Sequence, residues 1–177
     1  MTKLITFSRT YPSYHIRKGE PTNFVEKIYK STVFDPIDSY SEYLNLFDFD
    51  FNKDKDVMVD ELFHDLDEVQ VFNPKGHTIR SGHRWKAGDW FKPVVWSDKP
   101  YRSKQIQFAP DIQIIKTWDI HFKGENPFPF INNKMLKFTQ LAQLAANDGL
   151  EIIEFTDWFK KPDFDGQIIS WSNKINY

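Results

Sequence analysis

The sequence predicts an α+β fold, a small β-barrel with flanking helices, interrupted by a helical acidic insertion. Three observations carry this. Short spans of alternating apolar and polar residues recur from 88 to 122, broken by Pro93, Pro100 and Pro110, as curved antiparallel strands require. The run "NNKMLKFTQLAQLAANDG" repeats apolar residues at helical spacing. Between 32 and 72 the composition turns acidic, with Tyr, Phe and Leu spaced as in short amphipathic helices. A chain of 177 residues supplies one domain with a proper core and leaves a second one cramped, so 1–177 reads as a single domain with 32–72 inserted within it.

The elements follow in order. "KLITFSR" alternates and is rich in β-formers, predicting an opening strand. "PTNFVEKIYKS" predicts a short helix with Asn23 and Glu26 placed as a capping box. Inside the insertion, "SYSEYLNLF" and "DELFHDLDEV" predict two short helices. "GDWFKPVVW", "SKQIQFA" and "DIQIIKTWDIHF" supply the barrel strands. After the loop "GENPFPF", Phe138, Leu141, Ala142 and Ala145 share one helical face, and Gly149 stands as a left-handed cap. "EIIEFTDWFKK" adds a turn or two of helix stopping at Pro162, and "GQIISW" closes with a strand.

Aromatic residues make up 17% of the chain at a mean hydropathy of −0.57. Burial therefore relies on Phe, Trp and Tyr, and some of them must reach the surface. The absence of cysteine excludes disulfide scaffolds and thiolate zinc sites. No window approaches a membrane-spanning length, and the basic first twenty residues lack an apolar core. The expectation is a cytoplasmic protein with no membrane partner. The net charge of −2 hides an asymmetry: residues 35–68 carry −10 and the remainder +8, with 8 basic against 2 acidic residues between 73 and 107. A polyanion is attracted to one part only, although solvation of a basic face accounts for the charge equally well.

The densest polar cluster is "KGHTIRSGHRWKAGD", Lys75 to Asp89. Its His77 and His83 lie six residues apart, a spacing that suits no compact metal site. A calcium-loop pattern does occur in the insertion, at Asp50, Asn52, Asp54, Asp56 and Glu61. Lys55 stands where that loop needs glycine for its sharp turn, so no metal and no other cofactor is expected. Nucleophile-elbow, phosphate-loop and dinucleotide motifs are absent.

The pieces "ITFSR…FVEKI", "KGHTIR", "AGDWF", "QIQFAPDIQI" and "LAANDGLEIIEF" resemble the ASCH (activating signal cointegrator homology) domain, a branch of the PUA-like fold. The resemblance covers about residues 1–30 and 73–172, and "VWSDKPYRSKQI" resembles a bacterial and phage-borne subgroup. It implies recognition of RNA or a modified nucleoside in a cleft beside the KGHTIR turn. It also implies an alternative, an amidohydrolase that deacetylates acetylated cytidine. Carried over by motif, Lys75 and Thr78 match the catalytic Lys and Thr, Arg80 the motif arginine, and Asp148 stands where the family has Glu. That carboxylate sits one methylene further back.

Chemically, a threonine hydroxyl needs a base, and a lysine serves only if burial or positive neighbours depress its pKa. Arg80 and His77 could supply that pressure. For nucleic-acid binding, Trp96 and Tyr101 interleave with Lys99, Arg102 and Lys104, a mixture that stacks bases and screens phosphates. Arg84, Trp85 and Trp90 extend the same surface. Such aromatics are more often partly buried core residues in a small barrel. A third expectation is a calcium-binding or protein-interaction module built on the acidic insertion.

Overall fold

The computed structural model describes residues 3–32, 73–124, 126–160 and 163–177. All of the acidic insertion except Thr32 lies outside the described residues, and with it the calcium-loop candidates Asp50, Asn52, Asp54, Asp56 and Glu61; so does Pro162.

Nine strands and three helices make an α+β fold among these residues. They are β1 (Lys3–Thr6), α1 (Phe24–Ser31), β2 (His77–Ser81), β3 (Trp90–Trp96), β4 (Gln105–Gln107), β5 (Ile112–Gln113), β6 (Lys116–Phe122), β7 (Phe130–Ile131), β8 (Lys134–Met135), α2 (Phe138–Asn147), α3 (Ile152–Trp158) and β9 (Phe164–Ser170). Among the described residues the strands do not close into a barrel. They form one sheet around β3 and a five-stranded sheet in the order β2-β9-β6-β7-β8.

In the first sheet β1 runs parallel to β3, with Lys3 opposite Phe91 and Thr6 opposite Val94. β5 pairs with Trp90 and Phe91, and β4 with Val94 to Trp96. Pro93 falls between these two partners, so its missing N–H interrupts neither ladder. Strands of three and two residues offer no continuous edge on which a barrel could close.

β9 is the centre of the second sheet, paired to β2 and β6 along its length. Its Gly166 lies opposite both Ser81 and Ile120. A Cβ there would stand 2.1 Å from the Arg80 carbonyl oxygen, so only glycine lets β2 approach. The two sheets pack through Phe7, Phe91, Phe108 and Trp171, with ring centroids 5.7 to 6.4 Å apart in edge and tilted pairs.

Several local expectations are corrected. Residues 77–81 are a strand, not a turn. The Asn23/Glu26 capping box does not form: Asn23 has φ 53 and no side-chain cap bond. The α1 N-terminus is held instead by Thr22, whose Oγ1 accepts from the Phe24 N–H at 3.3 Å and donates to the Ser8 carbonyl at 2.7 Å. Residues 130–135, assigned to loop and helix, form the β7–β8 hairpin, with Asn132 at φ 49 and Asn133 at φ 66. Two consecutive positive φ values mark a type I′ turn, which asparagine tolerates. α2 begins at Phe138 and buries Leu141, Leu144 and Ala145, while Phe138 itself is exposed. Among the described residues no helix is long and apolar enough to cross a membrane.

Candidate functional site

The end of α2 builds the site. Gly149, at φ 74, reverses the chain; its N–H donates to the Ala146 carbonyl and that of Leu150 to Ala145, both at 3.0 Å. These two bonds define a Schellman turn, which needs a residue free to adopt the left-handed region at Gly149. Asp148 is consequently the C-cap residue, and its side chain is buried. The segment 73–76 is laced beside it: the Lys75 N–H donates to the Lys27 carbonyl, the Gly76 N–H to the Asn147 carbonyl, and the Ser31 hydroxyl to the Lys75 carbonyl. A Cβ on Gly149 would come within 3.1 Å of both Lys75 Cβ and Lys27 Cδ.

Lys75 is 1% exposed, and its Nζ donates to Asp148 Oδ1 at 2.6 Å and to the Asp148 carbonyl at 2.8 Å. The shorter carboxylate therefore does reach the lysine. Nζ also stands 4.1 Å from the Phe24 ring centroid, a cation–π contact. Burial lowers the Lys75 pKa to about 8, against the pull of Asp148 and with Arg80 and Lys27 pushing the same way. Burial raises the Asp148 pKa, opposed by Lys75, Arg80 and Lys27. A pKa of about 8 leaves the lysine mostly protonated at neutral pH, with Nζ at salt-bridge distance from Asp148 Oδ1.

A cavity of about 260 Å³ opens beside this pair. It brings together six of the residues singled out by sequence: Lys75, Thr78, Arg80, Trp96, Tyr101 and Asp148. Thr78 and Arg80 lie two apart on β2 and so point to one face. Among the described residues Lys75 Nζ bonds to Asp148 twice and not to Thr78. Trp96 and Tyr101 sit at the rim with centroids 5.5 Å apart. Tyr101 is 89% exposed and held at φ 62, a strained conformation for a bulky side chain.

The other sequence candidates do not line the cavity. His77 is fully buried behind Asp148: its Nδ1 is 2.9 Å from the Tyr177 hydroxyl, and its Nε2 is 3.6 Å from Asp148 Oδ1. Burial holds the imidazole well below its usual pKa, so it stays neutral. Trp85 is core, with its backbone clamped by Gln167 at 3.0 and 3.2 Å and its ring 6.2 Å from Phe91. Arg84 lies over the Trp85 ring, and Arg102 and Lys104 are exposed in the loop between β3 and β4. Conversely, sequence reading missed Thr6, Phe7 and Ser8 after β1, Phe24 on α1, and Trp158 and Phe159 at the end of α3, all of which line the cavity.

On the outer face of the five-stranded sheet, His83 bridges Asp119 and Asp165 at 2.9 and 2.8 Å, and His121 also contacts Asp165. Both carboxylates raise the His83 pKa. Among the described residues no group of His, Asp or Glu has the arrangement of a metal site.

Comparison of the chain with family models, with curated proteins and with solved structures finds no match.

Proposed function

We propose that the chain recognises a nucleobase, as a modified nucleoside or as an unpaired base of RNA, in the cavity beside Lys75 and Asp148. The observation that carries this is the pairing of aromatic walls with a polar floor. Trp96, Tyr101, Phe7, Phe24, Trp158 and Phe159 surround a space that holds the Lys75 ammonium, the Asp148 carboxylate, the Thr78 hydroxyl and the Arg80 guanidinium. Flat apolar faces stack a base, and donors and acceptors at the floor read its edge. The volume of about 260 Å³ falls just under the range of roughly 300–1,000 Å³ for pockets that enclose larger ligands, which suits one base. The basic stretch 73–107 favours a phosphate-bearing partner at the rim. The reading includes an ASCH-like member of the PUA-like class, the two sheets being its barrel strands in an open arrangement.

The test is calorimetric titration with cytidine, N4-acetylcytidine and a short single-stranded RNA. Tyr101→Ala, at an exposed position, is expected to leave folding unchanged and to weaken binding about tenfold, the loss of one stacked aromatic. RNA binding is further expected to fall steeply with log salt while nucleoside binding stays flat. No binding of any of the three, or equal affinity in Tyr101→Ala, overturns the proposal.

A second reading is favoured by the depressed Lys75 pKa beside Thr78. Thr78 Oγ1 would attack the acetyl carbonyl of acetylated cytidine and pass its proton to neutral Lys75. The exocyclic amine would leave protonated, and water would release acetate from the acyl-threonine. Lys75 Nζ must first turn from Asp148 to Thr78. Acetate release by the wild type and its loss in Thr78→Ala, with binding retained, distinguishes hydrolysis from recognition.

A further inference from the structure

The charges that line the cavity do not balance. Lys75 and Arg80 contribute two cations, and Asp148 is the one carboxylate lining it among the described residues. That carboxylate is engaged by Lys75 at 2.6 Å. Arg80 has no ion pair among the described residues. Its Nη2 donates to the Thr6 carbonyl at 2.6 Å, its guanidinium carbon stands 5.3 Å from the Phe7 ring centroid, and its Nε is buried without a hydrogen-bond partner. Asp148 is the carboxylate whose field reaches Arg80, and it is shared with Lys75, while nearby Arg84 adds positive field.

Arg80 is partly buried, its Nε is shielded and unpartnered, and two cations share one carboxylate, an arrangement that an anion at the guanidinium would complete. The Phe7 ring covers the guanidinium carbon but supplies no acceptor for the Nε N–H. The fork geometry of arginine matches planar or tetrahedral oxyanions through two parallel N–H donors. Burial lowers the Arg80 pKa to about 10, which leaves it charged at neutral pH.

We propose that the ligand of this cavity carries a compact anionic oxo group, a carboxylate or a phosphate, seated against the Arg80 guanidinium. The inference rests on the base-recognition reading for the remainder of the ligand and stands independently of it for the anion. A nucleoside monophosphate and a base bearing a carboxylate are the two sources of that chemistry.

The experiment titrates the full chain with cytidine, cytidine 5′-monophosphate, orotate and inorganic phosphate, in the wild type, Arg80→Gln and Arg80→Lys. At least one organic anion is expected to bind about tenfold or more tighter than cytidine, as a charge-assisted pair provides. Tighter binding of the monophosphate identifies phosphate, and tighter binding of orotate identifies carboxylate. Arg80→Gln is expected to abolish that preference, weakening the favoured anion by about tenfold more than it weakens cytidine. If Arg80→Gln fails to fold, Arg80→Lys, which keeps the charge and loses the fork, is expected to reduce the preference. Inorganic phosphate binding that Arg80→Lys weakens, with no nucleoside bound, sustains the anion site and removes the base reading. Cytidine bound as tightly as both organic anions overturns the anion and leaves the base reading standing. No binding of any probe overturns both.

Discussion

Asp148→Leu is expected to destabilise the chain by about 3–5 kcal/mol, the cost of leaving one member of a buried ion pair uncompensated. Lys75 is almost wholly buried and makes both of its Nζ bonds to Asp148, one to the side chain and one to the main chain. Removing the carboxylate strands an ammonium against Phe24 and the Arg80 field. Lys75→Met with Asp148→Leu is expected to recover most of the loss, because two apolar side chains need no mutual neutralisation. Denaturant melts of the four proteins give the coupling directly; a double variant as unstable as the sum of the singles refutes it. The pH dependence has a definite sign. Folding lowers Lys75 from its ordinary 10.5 to about 8, so between those values the unfolded chain holds a proton that the folded chain has released. Stability contributed by this group therefore rises with pH from about 8 to 10.5. In Lys75→Met that rise is expected to vanish.

Gly166→Ala is the second large effect. The added methyl would meet the Arg80 carbonyl oxygen at 2.1 Å and its carbon at 2.9 Å, and both are backbone atoms of the paired strand. No rotamer relieves this, so β2 must move away from β9, at a cost of roughly 3 kcal/mol by comparison with other overpacked positions. The displaced strand carries Thr78 and Arg80, so ligand affinity is expected to fall with stability. A variant that melts like the wild type and keeps its affinity contradicts the registered pairing of Gly166 with Ser81.

How far the sequence was legible depends on the range of the forces involved. Gly149 was readable as the end of α2 because a helix end is decided by neighbouring residues, here a glycine free to take the left-handed turn, whereas Asp148 was reached through the family resemblance. The strands β3, β6 and β9 were readable from alternation. Residues 77–81 were not, because "HTIRS" has too little apolar contrast to signal a strand, and its place beside β9 is set by Gly166 far along the chain. Asn132-Asn133 was a readable hairpin signal that the helical pattern after it obscured. Trp85 was misjudged because a tryptophan flanked by Arg84 and Lys86 looks exposed, whereas the Gln167 clamp that buries it lies across the fold. The cavity wall of Thr6, Phe7 and Ser8 arrives through the parallel pairing of β1 with β3, which leaves no local trace in the residues.

That parallel pairing also bears on the order of assembly. Lys3 must find Phe91, and His77 must find Ser170, before either sheet has its full set of strands. Contacts between such distant parts of a chain incur loop-closure entropy before they return any energy, and they slow folding. The floor of the cavity joins the segment after α1 to the end of α2, and one wall comes from the first strand, so the cavity takes shape late. A molecule held there favours the native state over the unfolded chain, and with contacts that form after the transition state it is expected to act chiefly by slowing unfolding. A molecule bound in the proposed site is expected to act as a brake on opening, read as a longer lifetime of the native state at an unchanged rate of folding.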